Sequence, residues 1–169
     1  MFRRSAAVVV ALAVTLGATA CQPEPTPTPT GPAFASEDEA FAAAEKTYRA
    51  YVDALNARRE DPSSDPDPQV FLTGQALQVD IDTQQQLDQS GLRIVGPTTI
   101  SSISGVSFDG EEISIEVCLD SSMTRVETTA GEDATPPDRQ PISLAFVGMI
   151  ATGDGALIRT STTKVADGC

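Results

Sequence analysis

At Gly91-Leu92 the spacing of apolar residues changes from three-or-four to two, and that change constrains the fold class more than anything else in the chain. Ahead of it, Phe41, Ala44, Tyr48, Tyr51, Val52 and Leu55 recur at helical spacing, which predicts a helix from Glu37 to about Arg59. Ser36-Glu37-Asp38-Glu39 supplies a capping box at its start, with Phe34 expected to fold back on the first turn. Glu45 and Arg49 form an i,i+4 pair, and Arg58-Arg59 suit the negative end of the helix. The stretch E-D-P-S-S-D-P-D-P from Glu60 to Pro68 ends the helix. Gln69 to Thr73 reads as a short helical turn. Gln75 to Ser90 reads as a second helix with Ala76, Leu77, Asp80, Ile81, Gln84, Leu87 and Asp88 on one side, closed by Gly91.

After Gly91 the chain reads as strands. Leu92–Val95 is stopped by Gly96-Pro97, and Ile100–Phe108 leads through Asp109-Gly110 into Ile113–Leu119, the clearest alternation in the sequence. A weaker strand spans Met123–Thr129, and residues 131–141 form a loop. Ile142–Ala151 and Ala156–Val165 make a terminal hairpin. Helices followed by strands predict α+β: one long amphipathic helix and a shorter one, packed on a twisted antiparallel sheet of four to six strands.

The first 35 residues do not belong to that domain. Met1-Phe2-Arg3-Arg4, an apolar run from Ala6 to Leu16 and the small residues Gly17 to Ala20 have the layout of an export signal, assigned to 1–20. The apolar run falls short of the ~20 residues that a membrane span needs. Ala18-Thr19-Ala20 fits the ordinary cleavage pattern of a released protein. Followed directly by Cys21, the same residues resemble the lipobox of bacterial lipoproteins, in which the cysteine thiol takes a diacylglyceryl group and becomes the mature N-terminus. Residues 21–35 are then the lipid-anchored cysteine and a Pro/Thr tether. Its alternating prolines favour polyproline II, about 3.1 Å per residue, or roughly 30–35 Å in all. The folded domain is assigned to 36–169.

The chain has 3 cysteines, an odd number for an exported protein. Lipid on Cys21 leaves Cys118 and Cys169 as an even pair, and an oxidising compartment favours a disulfide between them. Such a bond pins the end of the last strand to the sheet. Two chains on Cys21 suffice for stable anchoring, which places the protein on the outer face of the cytoplasmic membrane.

Charge and composition narrow the chemistry. There are 24 Asp and Glu against 11 Lys and Arg, no His, and a formal charge of −13. Loss of the leader removes Arg3 and Arg4 and no acid, so the mature chain is more negative still. Nucleic acid and direct adhesion to anionic headgroups are disfavoured, while solubility and a cationic partner remain as readings of the charge. Without His there is no Ser-His-Asp triad and no imidazole ligand. Asp61, Asp65 and Asp67 lack the Gly and bidentate Glu of an EF-hand loop, and Asp80 and Asp82 point apart on a helix, so neither a metal nor a cofactor is expected. Asp120, at the end of the strongest strand, is the best acid/base candidate if buried, and otherwise a solvated turn residue. Lys164 either pairs with an acid or snorkels.

The order of elements resembles the cone-shaped, cystatin-like fold of the nuclear transport factor two superfamily. More narrowly it resembles small exported lipoproteins of actinobacteria, through Glu45-Lys46-Thr47-Tyr48-Arg49-Ala50-Tyr51-Val52-Asp53-Ala54-Leu55-Asn56, through Val117-Cys118-Leu119-Asp120 and through a terminal cysteine. The resemblance implies a cone whose mouth, between helix and sheet, binds small molecules, hosts catalysis or docks proteins. Three functions follow as expectations. The first is a non-catalytic surface lipoprotein that presents an acidic cone to a protein or small ligand. The second is a pocket enzyme of the cyclase or isomerase type working with carboxylates. The third is an accessory subunit, marked by a large apolar patch. Tyr48, Tyr51, Phe71, Phe108, Asp120 and Phe146 are the candidate pocket residues; if the aromatic ones fill the cone, no pocket of about 300 Å³ or more remains.

Overall fold

In the computed structural model, residues 33–153, 155–166 and 169 are described. Residues 1–32, which hold the expected leader, Cys21 and most of the expected tether, lie outside them. The centre of the domain is β3 (Glu112–Asp120), flanked by β2 (Thr99–Phe108) and β5 (Ile142–Thr152), with β6 (Gly155–Val165) beside β5. All neighbours are antiparallel. Ile113, Ile115 and Val117 point to one face of β3, and the register sets them opposite Met149, Val147 and Ala145 of β5. All six are buried, which is what period-two alternation on a half-covered sheet produces.

Helix α1 (Glu37–Glu60) covers that face with Ala40, Ala44, Tyr48 and Val52. Ser36 caps it as expected, its Oγ accepting the Glu39 N–H at 3.2 Å. The reciprocal bond is displaced by one residue: the Glu39 carboxylate accepts from the Ala35 N–H, 2.9 Å away. Phe34, expected against the first turn, sets its ring edge-to-face with Phe108 at 6.0 Å and is buried. The packed core therefore starts at Ala33 and Phe34, ahead of the residue-36 boundary. Phe41 lies flat over Gly105, whose missing Cβ would fall 2.5 Å from the ring. Gly105→Ala is accordingly expected to cost about 1–3 kcal/mol through overpacking, measured by denaturant unfolding. An unchanged midpoint would mean that Phe41 is free to move.

A short 3₁₀ turn (Pro68–Phe71) leads into α2 (Gly74–Ser90). Its entry is tied to the sheet where the Thr73 N–H donates to the Ile158 carbonyl of β6 at 2.8 Å. Gly91 ends α2 in the left-handed region (φ 62°), where a side chain would be strained. The six strands do not form one sheet: β1 (Leu92–Val95) and β4 (Arg125–Thr128) pair as a separate ribbon. The molecule is α+β, two helices on antiparallel sheets of four and two strands. Among the described residues no helix is long and apolar enough to cross a membrane.

Cys118 and Cys169 are disulfide-bonded, with Cα atoms 5.7 Å apart. Cys118 lies on the face of β3 turned away from α1, and its side chain is buried.

Candidate functional site

A cavity lies along one flank of the C-terminal half of α1. It is open-sided, about 650 Å³ in volume, and bordered by α1, α2, β1 and β6. Tyr48, Tyr51 and Leu55 line it from one side, Ala76, Val79 and Leu87 from another, with Ile158 from β6. That volume lies within the usual range for small-ligand sites. The α1 residues that line it lie along one helix stripe at spacings of three, four and seven.

A buried ion pair links the two helices beside the cavity. Arg58 of α1 donates to Asp80 of α2 through both terminal nitrogens, Nη1 to Oδ2 at 2.9 Å and Nη2 to Oδ1 at 2.6 Å. Gln69 Nε2 donates to the same Oδ2 at 3.1 Å. The Arg58 and Asp80 side chains are only 13% and 8% exposed, so this is a bidentate pair out of water. Burial alone would push the Asp80 carboxyl up; the hydrogen bonds from Arg58 and then Gln69 outweigh it and hold it below the ordinary 3.8. The bond to Asp80 in turn raises Arg58. Asp80 therefore stays ionised at neutral pH, acting as a link between the helices and not as a proton carrier.

The adjacent Arg59 has different neighbours. Its Nη1 donates to the Thr98 hydroxyl at 2.9 Å, the Gly96 carbonyl at 3.2 Å and the Asn56 side chain at 3.3 Å. Among the described residues no carboxylate is paired with it. Burial lowers its pKa, with Tyr51 pulling the other way and Arg58 adding to the fall. Burial likewise pushes the Tyr48 and Tyr51 phenols up. Their rings meet edge-to-face at 5.8 Å.

Of the candidate pocket residues, the structure brings Tyr48 and Tyr51 to this cavity and places the other four elsewhere. Phe71 borders a separate hollow of about 230 Å³ on another flank of α1. Phe108 packs against Phe34. Phe146 projects from the opposite face of the sheet, where Lys164 Nζ sits 4.6 Å from its ring centre. Asp120 is the solvated turn residue: its Oδ1 accepts the Ser122 N–H at 2.8 Å, and the backbone and side-chain bonds from Ser122 lower its pKa. The raised pKa that acid/base work at this position needed is therefore absent.

The Arg58–Asp80 pairing is not written in the sequence, where the two residues have only local roles, at a helix end and on a helix side. The available signal was Asp80 itself, a charge set among Ala76, Leu77 and Leu87 on the inward side of a helix. Asp61 and Asp67, weighed as metal ligands, accept hydrogen bonds from Ser63 and from the Gln69 N–H in local turns. Among the described residues no three His, Cys, Asp or Glu side chains come together at metal-binding spacing.

No protein-family model and no curated protein sequence matches this chain. Among solved structures, the intermembrane space region of the chloroplast protein ARC6 is similar over 75% of this chain and 97% of its own, at 13% identity and a TM-score of 0.49. A likeness of that size carries no argument about function.

Proposed function

We propose that this protein is an exported, lipid-anchored binding module of the bacterial envelope, with a nuclear transport factor two-like domain that takes a small ligand between α1 and α2. The observation that carries the ligand half is the cavity of about 650 Å³, with apolar walls from Leu55, Ala76, Leu87 and Ile158, polar and charged residues around them, and the Arg58–Asp80 pair bridging the two helices at its side. Binding is favoured over catalysis because the buried Asp80 carboxylate is already engaged by Arg58 and Gln69 and is not free to take a proton from a substrate. The anchor half rests on Ala18 to Cys21 and on the cysteine count, since the Cys118–Cys169 bond leaves Cys21 as the odd one of three.

Two experiments test the two halves. Cys21→Ala is expected to move the protein from the membrane fraction to the soluble fraction; unchanged fractionation would contradict the anchor. For the ligand, Val79→Trp and Thr83→Trp place a large side chain at the cavity from exposed positions of α2. Small molecules extracted from the purified wild-type chain and seen by mass spectrometry are expected to be missing from both variants. Identical extracts from all three would contradict the binding site.

A further inference from the structure

The cavity offers hydrogen-bond donors that the protein leaves unused. Arg59 lines it, yet spends only Nη1 on Thr98, Gly96 and Asn56; its Nε and Nη2 have no acceptor among the described residues. Tyr51 and Tyr48 also line the cavity; neither phenol meets an acceptor among the described residues, and although Tyr48 as a whole is buried, its hydroxyl is not shut off from solvent. None of these unpaired donors is sealed from solvent, so each is within reach of a ligand that enters the cavity with acceptors of its own. Asp80, the nearby acceptor, is already filled by Arg58 and Gln69.

We propose that Arg59 and Tyr51 form a head-group site and that the ligand is a small amphipathic carboxylate, its apolar body lying along Leu55, Ala76, Leu87 and Ile158. This rests on the ligand-binding reading above and names the ligand class. A guanidinium with a free edge matches a carboxylate in shape and charge, and the pair is stronger away from water. Tyr48, edge-to-face with Tyr51, gives a third donor to a second polar atom further along the ligand. A cationic ligand would meet Arg59 unshielded. Of the three arginines in the lining, Arg58 is paired with Asp80 and Arg93 with Glu127, which leaves Arg59 and hence a single negative charge, that of a monocarboxylate, for the site to offset.

The test compares two probes of one shape, cis-parinaric acid and its methyl ester, by fluorescence titration of the full Cys21→Ala chain, which carries no lipid. The acid is expected to bind at least about 10-fold more tightly than the ester, following the strength of charge-assisted hydrogen bonds. Arg59→Gln is expected to weaken the acid about 10- to 100-fold and leave the ester unchanged, and Tyr51→Phe to weaken the acid about 10-fold. Should Arg59→Gln not fold, because Nη1 also ties down Gly96 and Thr98, the acid-to-ester ratio and Tyr51→Phe still decide. Equal affinity for acid and ester, with both lost in Thr83→Trp, overturns the carboxylate site and leaves the cavity as a binding site. Failure of both probes to bind overturns the two together.

Discussion

Replacing Cys169 with Ser is expected to cost the domain about 4 kcal/mol, the loop-entropy value for a bond whose partners are 51 residues apart. For a domain of this size that lowers Tm by on the order of 10–15 °C. The bond closes the whole of β4, β5 and β6 onto β3, so its loss frees the longest excursion of the chain after the central strand. Cys118→Ser is expected to do at least as much, since it also leaves a hydroxyl in a buried position. Thermal unfolding with and without reductant measures the effect: reductant should lower the wild type by the same amount and leave Cys169→Ser unchanged. A shift under about 1 kcal/mol would mean that the sheet holds its own end without the bond.

Asp80→Ala is expected to destabilise by up to about 3–5 kcal/mol, because the Arg58 guanidinium, only 13% exposed, loses both hydrogen bonds and keeps only the exposed Asp67 carboxylate at 3.8 Å. The comparison that isolates the cause is the double change Arg58→Met with Asp80→Leu. Removing both charges is expected to recover most of the loss, and to match or exceed the wild type. The pH dependence has a definite sign. Asp80 has a folded pKa below its ordinary value, so its contribution is full above about pH 4 and is lost as pH falls through the depressed folded value. Asp80→Asn should remove that part of the acid limb of the stability curve, while stability near pH 7 drops by a constant amount. An Asp80→Ala chain as stable as the wild type would show the pair to be solvated.

Much of the fold was legible because it is written locally. Ser36 and Glu39 start α1, Gly91 ends α2, and Asp109-Gly110 turns β2 into β3, each through bonds within a few residues. The matching of Ile113, Ile115 and Val117 with Met149, Val147 and Ala145 follows once both strands alternate. Separation of β1 and β4 from the larger sheet was not legible, since alternation says which face a residue takes and not which strand lies beside it. Phe146 shows the same limit. Ile142–Ala151 is apolar on both faces, so its phase alone did not say whether Phe146 or Val147 turned inward. Asp120 was legible as a residue with two fates, and only its exposure separated them. The cavity depended most on distant partners: Arg58 and Asp80 are 22 residues apart on different helices, and neither has a local pattern that names the other.

The state of three sulfurs decides most directly whether the chain is lipid-anchored and its last strand pinned to the sheet. Intact-mass and peptide-level mass spectrometry of the chain extracted from the envelope reads all of them at once. A mature chain that begins at Cys21, carries a diacylglyceryl mass on that residue, and yields Cys118 and Cys169 as one linked peptide pair is the predicted result. A chain whose Cys21 is unmodified, or whose Cys118 and Cys169 both take up an alkylating reagent without reduction, would contradict it.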